Sequence, residues 1–110
     1  MKRVNAKRQG RLFAGRRDDG AQDFIRSLPC LFCIADQRAQ TDPTEVEHVR
    51  SKGHGGYDCG DTVPGCAYHR ELRHVVLGSK AFLAKYAHLH LEAVAKRLGE
   101  SYIASRFPCP

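Results

Sequence analysis

Three segments decide the fold: Cys30-Leu31-Phe32-Cys33, then Thr44-Glu45-Val46-Glu47-His48-Val49, then Asp61-Thr62-Val63-Pro64-Gly65-Cys66-Ala67-Tyr68-His69-Arg70-Glu71-Leu72-Arg73-His74. Two residues between Cys30 and Cys33 let the chain double back so that both thiols reach one tetrahedral ion. Cys66 and His69 repeat that spacing, and on a helix two residues three apart share a face. The two half-sites make a Cys3His set, the donor set of a closed structural Zn2+ site. The middle segment alternates as a strand does, with Val46 and His48 on one face and Glu47 and Val49 on the other. Gly53, Gly55, Gly56 and Gly60 mark 50–60 as a loop. Residues 61–64 predict a short second strand limited by Pro64, and a helix is predicted from about Cys66 to a break at Gly78.

Outward from this centre, Asp18-Asp19 offers an N-cap to a short helix bearing Phe24, Ile25 and Leu28. Pro29 ends it, because the residue before a proline is pushed out of the helical region. Residues 35–43 are polar and turn-like. Ser79 is expected to cap a second helix running to about Leu98, with Phe82, Leu83, Tyr86, Leu89, Val94 and Leu98 as its apolar stripe and Gly99 as its stop. The fold class is α+β, in one domain over 18–110.

A chain of 110 residues with 42% hydrophobic residues and no Trp has a modest core, and a metal staple helps such a domain to fold. No apolar run approaches the ~20 residues that span a bilayer. Met1-Lys2-Arg3-Val4-Asn5 is followed by no hydrophobic stretch, so a secretory leader is not expected and a cytoplasmic, reducing location is. There, five cysteines read as metal ligands rather than disulfides. Cys59 and Cys109 have no partner at ligand spacing. The charge is lopsided: residues 1–17 hold seven basic side chains (Lys2, Arg3, Lys7, Arg8, Arg11, Arg16 and Arg17) and no acid, while 18–110 holds eleven basic and twelve acidic residues. The whole excess thus sits in an N-terminal arm, expected to be flexible and to bind phosphates.

A second constellation comprises Glu47-His48, Asp61 and His74. His69 and His74 are five residues apart, so on a regular helix they point about 140° from each other and cannot easily serve one ion. Arg70 shares the face of His74. His54, His88 and His90 read as loop and helix-surface residues.

Taken together, the Cys knuckle, Glu-Val-Glu-His-Val, the Gly-rich loop, Asp61-Thr-Val-Pro-Gly-Cys66 and His69-Arg-Glu-Leu-Arg-His74 resemble an HNH endonuclease. The likeness spans about residues 24–86 and is strongest to the zinc-stapled, phage-type members, among them recombinase-dependent nucleases. It implies a ββα-metal core with flanking helices that hydrolyses DNA phosphodiester bonds. Residue by residue, His48 matches the general base, Asp61 the central Asn that orients the base or supports the loop, and His74 the final His, a ligand of a catalytic Mg2+ or Mn2+. Glu47 stands where many members have a ligand Asp or His. Gly65 replaces a usual Leu, and Arg70 occupies a position that is often a second His. The resemblance also implies a bacterial or phage setting, with a recombinase or another phage protein as a partner.

The chemistry suits these residue types. A neutral His with an ordinary pKa of ~6.5 can take a proton from water at physiological pH. A divalent ion acts as a Lewis acid on the phosphate. Arg70, Arg50 or Lys52 could hold the phosphate, an Arg through paired hydrogen bonds. The rival expectation is a zinc module that binds DNA or a protein partner without cutting; it has no need of Glu47, His48, Asp61 and His74.

Overall fold

The computed structural model describes residues 17–49 and 56–106. Of the expected phosphate-binding residues, Lys2, Arg3, Lys7, Arg8, Arg11, Arg16, Arg50 and Lys52 lie outside the described residues, as do His54 and Cys109.

Asp18 caps α1 (Asp19–Arg26), its side chain accepting from the Ala21 N–H, and Ala21 and Ile25, four apart, form the buried side. Cys30 in turn caps α2 (Leu31–Asp36): its Sγ accepts from the Cys33 N–H, so the expected knuckle is the first turn of a helix. Gln37, left-handed at φ 53°, closes α2. The turn that follows is braced by Gln40, which accepts from the Cys30 N–H (2.7 Å) and donates to Thr44 Oγ1 (3.0 Å).

β1 (Thr44–His48) and β2 (Thr62–Cys66) pair antiparallel, Thr44 opposite Cys66 and His48 opposite Thr62. β2 continues two residues past Pro64, beyond the expected 61–64. The Val49 N–H donates to the Asp61 carbonyl at 2.8 Å, which sets the phase of the ladder. Hydrogen-bonded and non-bonded pairs alternate, so Val46 opposite Pro64 is a non-bonded pair, and a missing N–H there breaks nothing.

β2 runs directly into α3 (Ala67–Glu71), which widens into a π-helical segment over Leu72–Leu77 and stops at Gly78, φ 84°. The single helix expected from Ser79 to Leu98 is two: α4 (Ser79–Lys85), a 3-10 turn at Ala87–Leu89, and α5 (Leu91–Arg106). His90, left-handed at φ 55°, makes the break. Gly99 does not end α5 but lies inside it. A Cβ there would sit 2.7 Å from Gly60 Cα and N, so this glycine serves a close approach of helix to loop, not a cap.

One core cluster joins Cys30, Phe32, Cys33, Val63, Cys66, Phe82, Tyr86, Leu91 and Ala95. Its aromatic centre is a triangle, with Phe32, Phe82 and Tyr86 ring centroids 4.8–5.1 Å apart. A smaller cluster of Ala21, Cys59 and Tyr102 seals α1 and α5 over the loop. No helix among the described residues is long and apolar enough to cross a membrane.

Gly99→Ala tests the helix–loop contact. Alanine gains about 1 kcal/mol of helix propensity, but overpacking typically costs about 1–3 kcal/mol, and two backbones cannot rotate aside as a side chain can. The expected outcome is a Tm lowered by several degrees in a circular-dichroism melt; a raised Tm would show that the contact is not formed.

Candidate functional site

Four ligand atoms converge between α2 and the β2–α3 junction. Cys30, Cys33, Cys66 and His69 are all buried, and their ligand atoms lie within 4.8 Å of one another. Cys33 Sγ is 3.7 Å from Cys66 Sγ, while His69 Nδ1 is 3.7 Å from Cys30 Sγ, 3.7 Å from Cys33 Sγ and 3.3 Å from Cys66 Sγ. A tetrahedral ion with metal–sulfur bonds of ~2.3 Å and metal–nitrogen bonds of ~2.0–2.1 Å needs edges of about 3.8 and 3.6 Å. The group fits, and it could hold a metal ion. Burial pushes the Cys30 thiol up to about 12 and also raises Cys33. An ion entering here must displace protons, so its affinity rises with pH.

The outer support of this group includes two residues that the sequence did not single out as site residues. His69 Nε2 is 2.9 Å from Asp36 Oδ2, which also accepts from the Tyr86 hydroxyl at 2.8 Å. Burial alone would raise the Asp36 carboxyl, yet these two hydrogen bonds outweigh it and hold it below the usual carboxylate range. A carboxylate on the far nitrogen orients a ligating imidazole and increases its basicity. Asp36→Asn is therefore expected to weaken metal affinity about 10–100-fold, measured by competition with a chromophoric chelator. Unchanged affinity would reduce Asp36 to a surface polar residue.

The second site lies at the end of β1. His48 Nε2 is 2.9 Å from Asp58 Oδ1, and the Asp58 side chain is fully buried while His48 is 22% exposed. Asp58 Oδ2 accepts from the Asp18 N–H (2.8 Å) and from Gln22 Nε2 (2.7 Å). Burial would raise this carboxyl, but hydrogen bonds from Asp18, Gln22 and His48 outweigh it and lower it. Its contribution to stability is then fully present above the unfolded carboxylate value of ~3.9 and is lost as pH falls through the lower folded value. The stability gap between the unaltered protein and Asp58→Asn should accordingly close below about pH 4 in denaturant titrations; a gap that widens on acidification would contradict the shift.

On the other face of β1, Glu47 Oε1 meets Arg73 Nη1 at 2.6 Å and His74 Nε2 at 3.6 Å. Arg73, buried, also donates to the His48 carbonyl (3.1 Å) and to Ser79 Oγ (2.8 Å). His74 is half-exposed. His69 and His74 therefore turn to different groups, the first to the cysteines and the second to Glu47. Among the described residues, the Cys3His set is the one group of three or more such side chains able to hold an ion; Glu47 and His74 offer two.

The remaining candidates are held elsewhere. Arg70 Nη1 reaches both carboxylate oxygens of Glu45 (2.9 and 3.1 Å). Asp61 Oδ2 accepts from the Tyr57 N–H (2.9 Å), so its side chain braces the loop, while the carboxylate on His48 is that of Asp58. Arg17 pairs with Asp19 at 3.0 Å in solvent. Cys59 is buried with its Sγ 3.8 Å from the Gly99 carbonyl, in the smaller cluster and not among the ligands. The signal for Asp58 was a strand-end histidine in need of a partner and a loop offering two acids three residues apart; the signal for Arg73 was its place on the helix next to His74.

No protein-family model, characterised protein or solved structure matches this chain.

Proposed function

We propose that the protein is a metal-dependent DNA endonuclease of the HNH type, with a Zn2+ ion in the Cys3His group as its staple. The observation that carries the reading is the end of β1: a partly exposed histidine held through Nε2 by a buried carboxylate, with a Glu47–His74 pair on the other face of the strand. His48 then keeps Nδ1 to take the proton of an attacking water, a role worth about 10²–10⁴-fold. Glu47 and His74 are the ligands for Mg2+ or Mn2+, which when bound supplies Lewis-acid stabilisation of the phosphate and the departing oxygen. Two protein ligands suffice for such ions, which commonly complete their shell with water and substrate phosphate. Arg73 neutralises Glu47 in the absence of an ion, and Arg70 supplies further positive charge on the exposed side. Residues 2–17, Arg50 and Lys52 hold the DNA backbone, and a recombinase or another phage protein is the proposed partner in a bacterial cytoplasm.

A second reading, a metal-stapled module that binds DNA or a protein without cutting, draws on one observation: Arg73 already satisfies Glu47 at 2.6 Å, leaving that carboxylate less in need of a cation.

Plasmid nicking with Mg2+, Mn2+ or EDTA, run on three variants, separates the two. His48→Ala should abolish nicking while fold, zinc content and DNA affinity stay nearly unchanged, with Tm lowered because the buried Asp58 carboxylate loses a donor. His74→Ala should lose activity that high Mn2+ partly restores. His69→Ala should lose zinc and stability together, since binding energy at a structural site is folding energy. Full nicking by His48→Ala would overturn His48 as the base, and no nicking by the unaltered protein with either cation would favour the binding module.

A further inference from the structure

Asp58 makes three hydrogen bonds from a side chain with no solvent contact, and the partners differ in what they can become. Its Oδ2 receives the Asp18 backbone N–H at 2.8 Å, a donor that can never accept. The same oxygen receives Gln22 Nε2 at 2.7 Å. That amide is pinned, because its Oε1 accepts from Arg26 Nη2 at 3.1 Å. The other oxygen, Oδ1, faces His48 Nε2 at 2.9 Å. The loop backbone is held as well: the Thr62 hydroxyl donates to the Asp58 carbonyl at 2.7 Å, and Thr62 is the cross-strand partner of His48.

We infer that Asp58 is the positioning residue of His48, whose tautomer it dictates: the ring proton is held on Nε2, and Nδ1 is left as the acceptor. An ionised carboxylate can only accept, and a neutral imidazole carries one proton. With Oδ1 an obligate acceptor, Nε2 has to be the protonated nitrogen. The same carboxylate ties the ring to the start of α1, at the first residues after the basic segment. Its consequence for catalysis rests on the proposed nuclease reading; its consequence for the tautomer does not.

Asp58→Asn turns this into an inversion. The amide keeps the shape of the carboxylate but owns one acceptor and one donor end. Its oxygen must face the Asp18 N–H and the Gln22 amide, neither of which can change role without losing a bond. Its NH2 then points at His48 Nε2. Of the three partners, only His48 can adapt, by moving its proton from Nε2 to Nδ1. The nitrogen that would take a proton from water is thereby blocked, with the fold unchanged.

The test is a long-range proton–nitrogen NMR correlation on the isotope-labelled, metal-loaded full chain at about pH 8.5, two units above the ordinary imidazole value. The His48 signals are identified by their loss in His48→Gln. The unaltered protein is expected to show His48 protonated on Nε2, and Asp58→Asn to show it protonated on Nδ1 with circular dichroism and zinc content unchanged. In the nicking assay, Asp58→Asn is expected to lower kcat by up to about 10⁴-fold at unchanged KM, the size of loss that a wrong tautomer causes in an Asp–His pair. Protonation on Nδ1 in the unaltered protein, or the same tautomer in both, overturns the inference. Should Asp58→Asn fail to fold, the unaltered spectrum still decides. If the unaltered protein does not nick DNA, the nuclease reading falls while the two spectra still decide the role of Asp58.

Discussion

Three thiols and an imidazole meet in a space that water does not enter, and the rest of the structure depends on their being gathered there. Their ligand atoms come from α2 and from the β2–α3 junction, so the chain between them, with the whole hairpin, is a loop closed at its base. In a domain with so few large apolar residues, that closure does what a larger core does elsewhere. The ligands are themselves core residues, packed with Phe32, Val63, Phe82 and Tyr86. Burial makes the Cys30 and Cys33 thiols resist ionisation, and at a site of this kind the energy of binding an ion is folding energy.

Two histidines are held in the same manner for different ends. His69 and His48 each present Nε2 to an aspartate oxygen at 2.9 Å. Asp36 serves the first and is itself held by Tyr86; Asp58 serves the second and is held by Asp18 and Gln22. In each case the carboxylate selects the nitrogen that remains, which is Nδ1. For His69 that nitrogen faces the cysteines. For His48, on the function proposed, it faces water. Along β1, Glu47 and His48 are consecutive residues of a strand and look to opposite faces, so Glu47 meets Arg73 and His74 while His48 meets Asp58.

How much of this was legible in the sequence follows from how local each signal is. Ligand spacing is local, and the four ligands stand together as the two short intervals implied. Strand alternation and the Asp18 cap are local as well. Partners far apart in sequence carry no such signal: Asp36 is 33 residues from His69 and 50 from Tyr86. Tyr86 reads as one more apolar position in a helical stripe, and its hydroxyl only acquires meaning once Asp36 is beside it. The break at His90 was hidden because no Gly or Pro marks it and the apolar spacing runs on through Leu89 and Val94. Gly99 was misread because a glycine that ends a helix and one that lets another backbone approach look alike until the other backbone is in place. For Asp58 against Asp61, both in the same loop, the choice depends on the loop's path, which composition does not encode.

The meeting of Gly60 and Gly99 joins parts of the protein that are distant in the chain. Where side chains intervene, a rotamer change can absorb a shift of one element without troubling its neighbour. Here backbone faces backbone, with no such slack. The turn at Asp58–Gly60 and the middle of α5 must therefore move as one cooperative unit. Tyr102 and Arg106, which reach back from α5 to Asp18, bring the start of α1 into the same unit. An opening of the last helix would then reach the carboxylate on His48 by way of bare main chain. Order along α5 and order in this turn are thus tied together, which lets the C-terminal helix steady the carboxylate that holds His48.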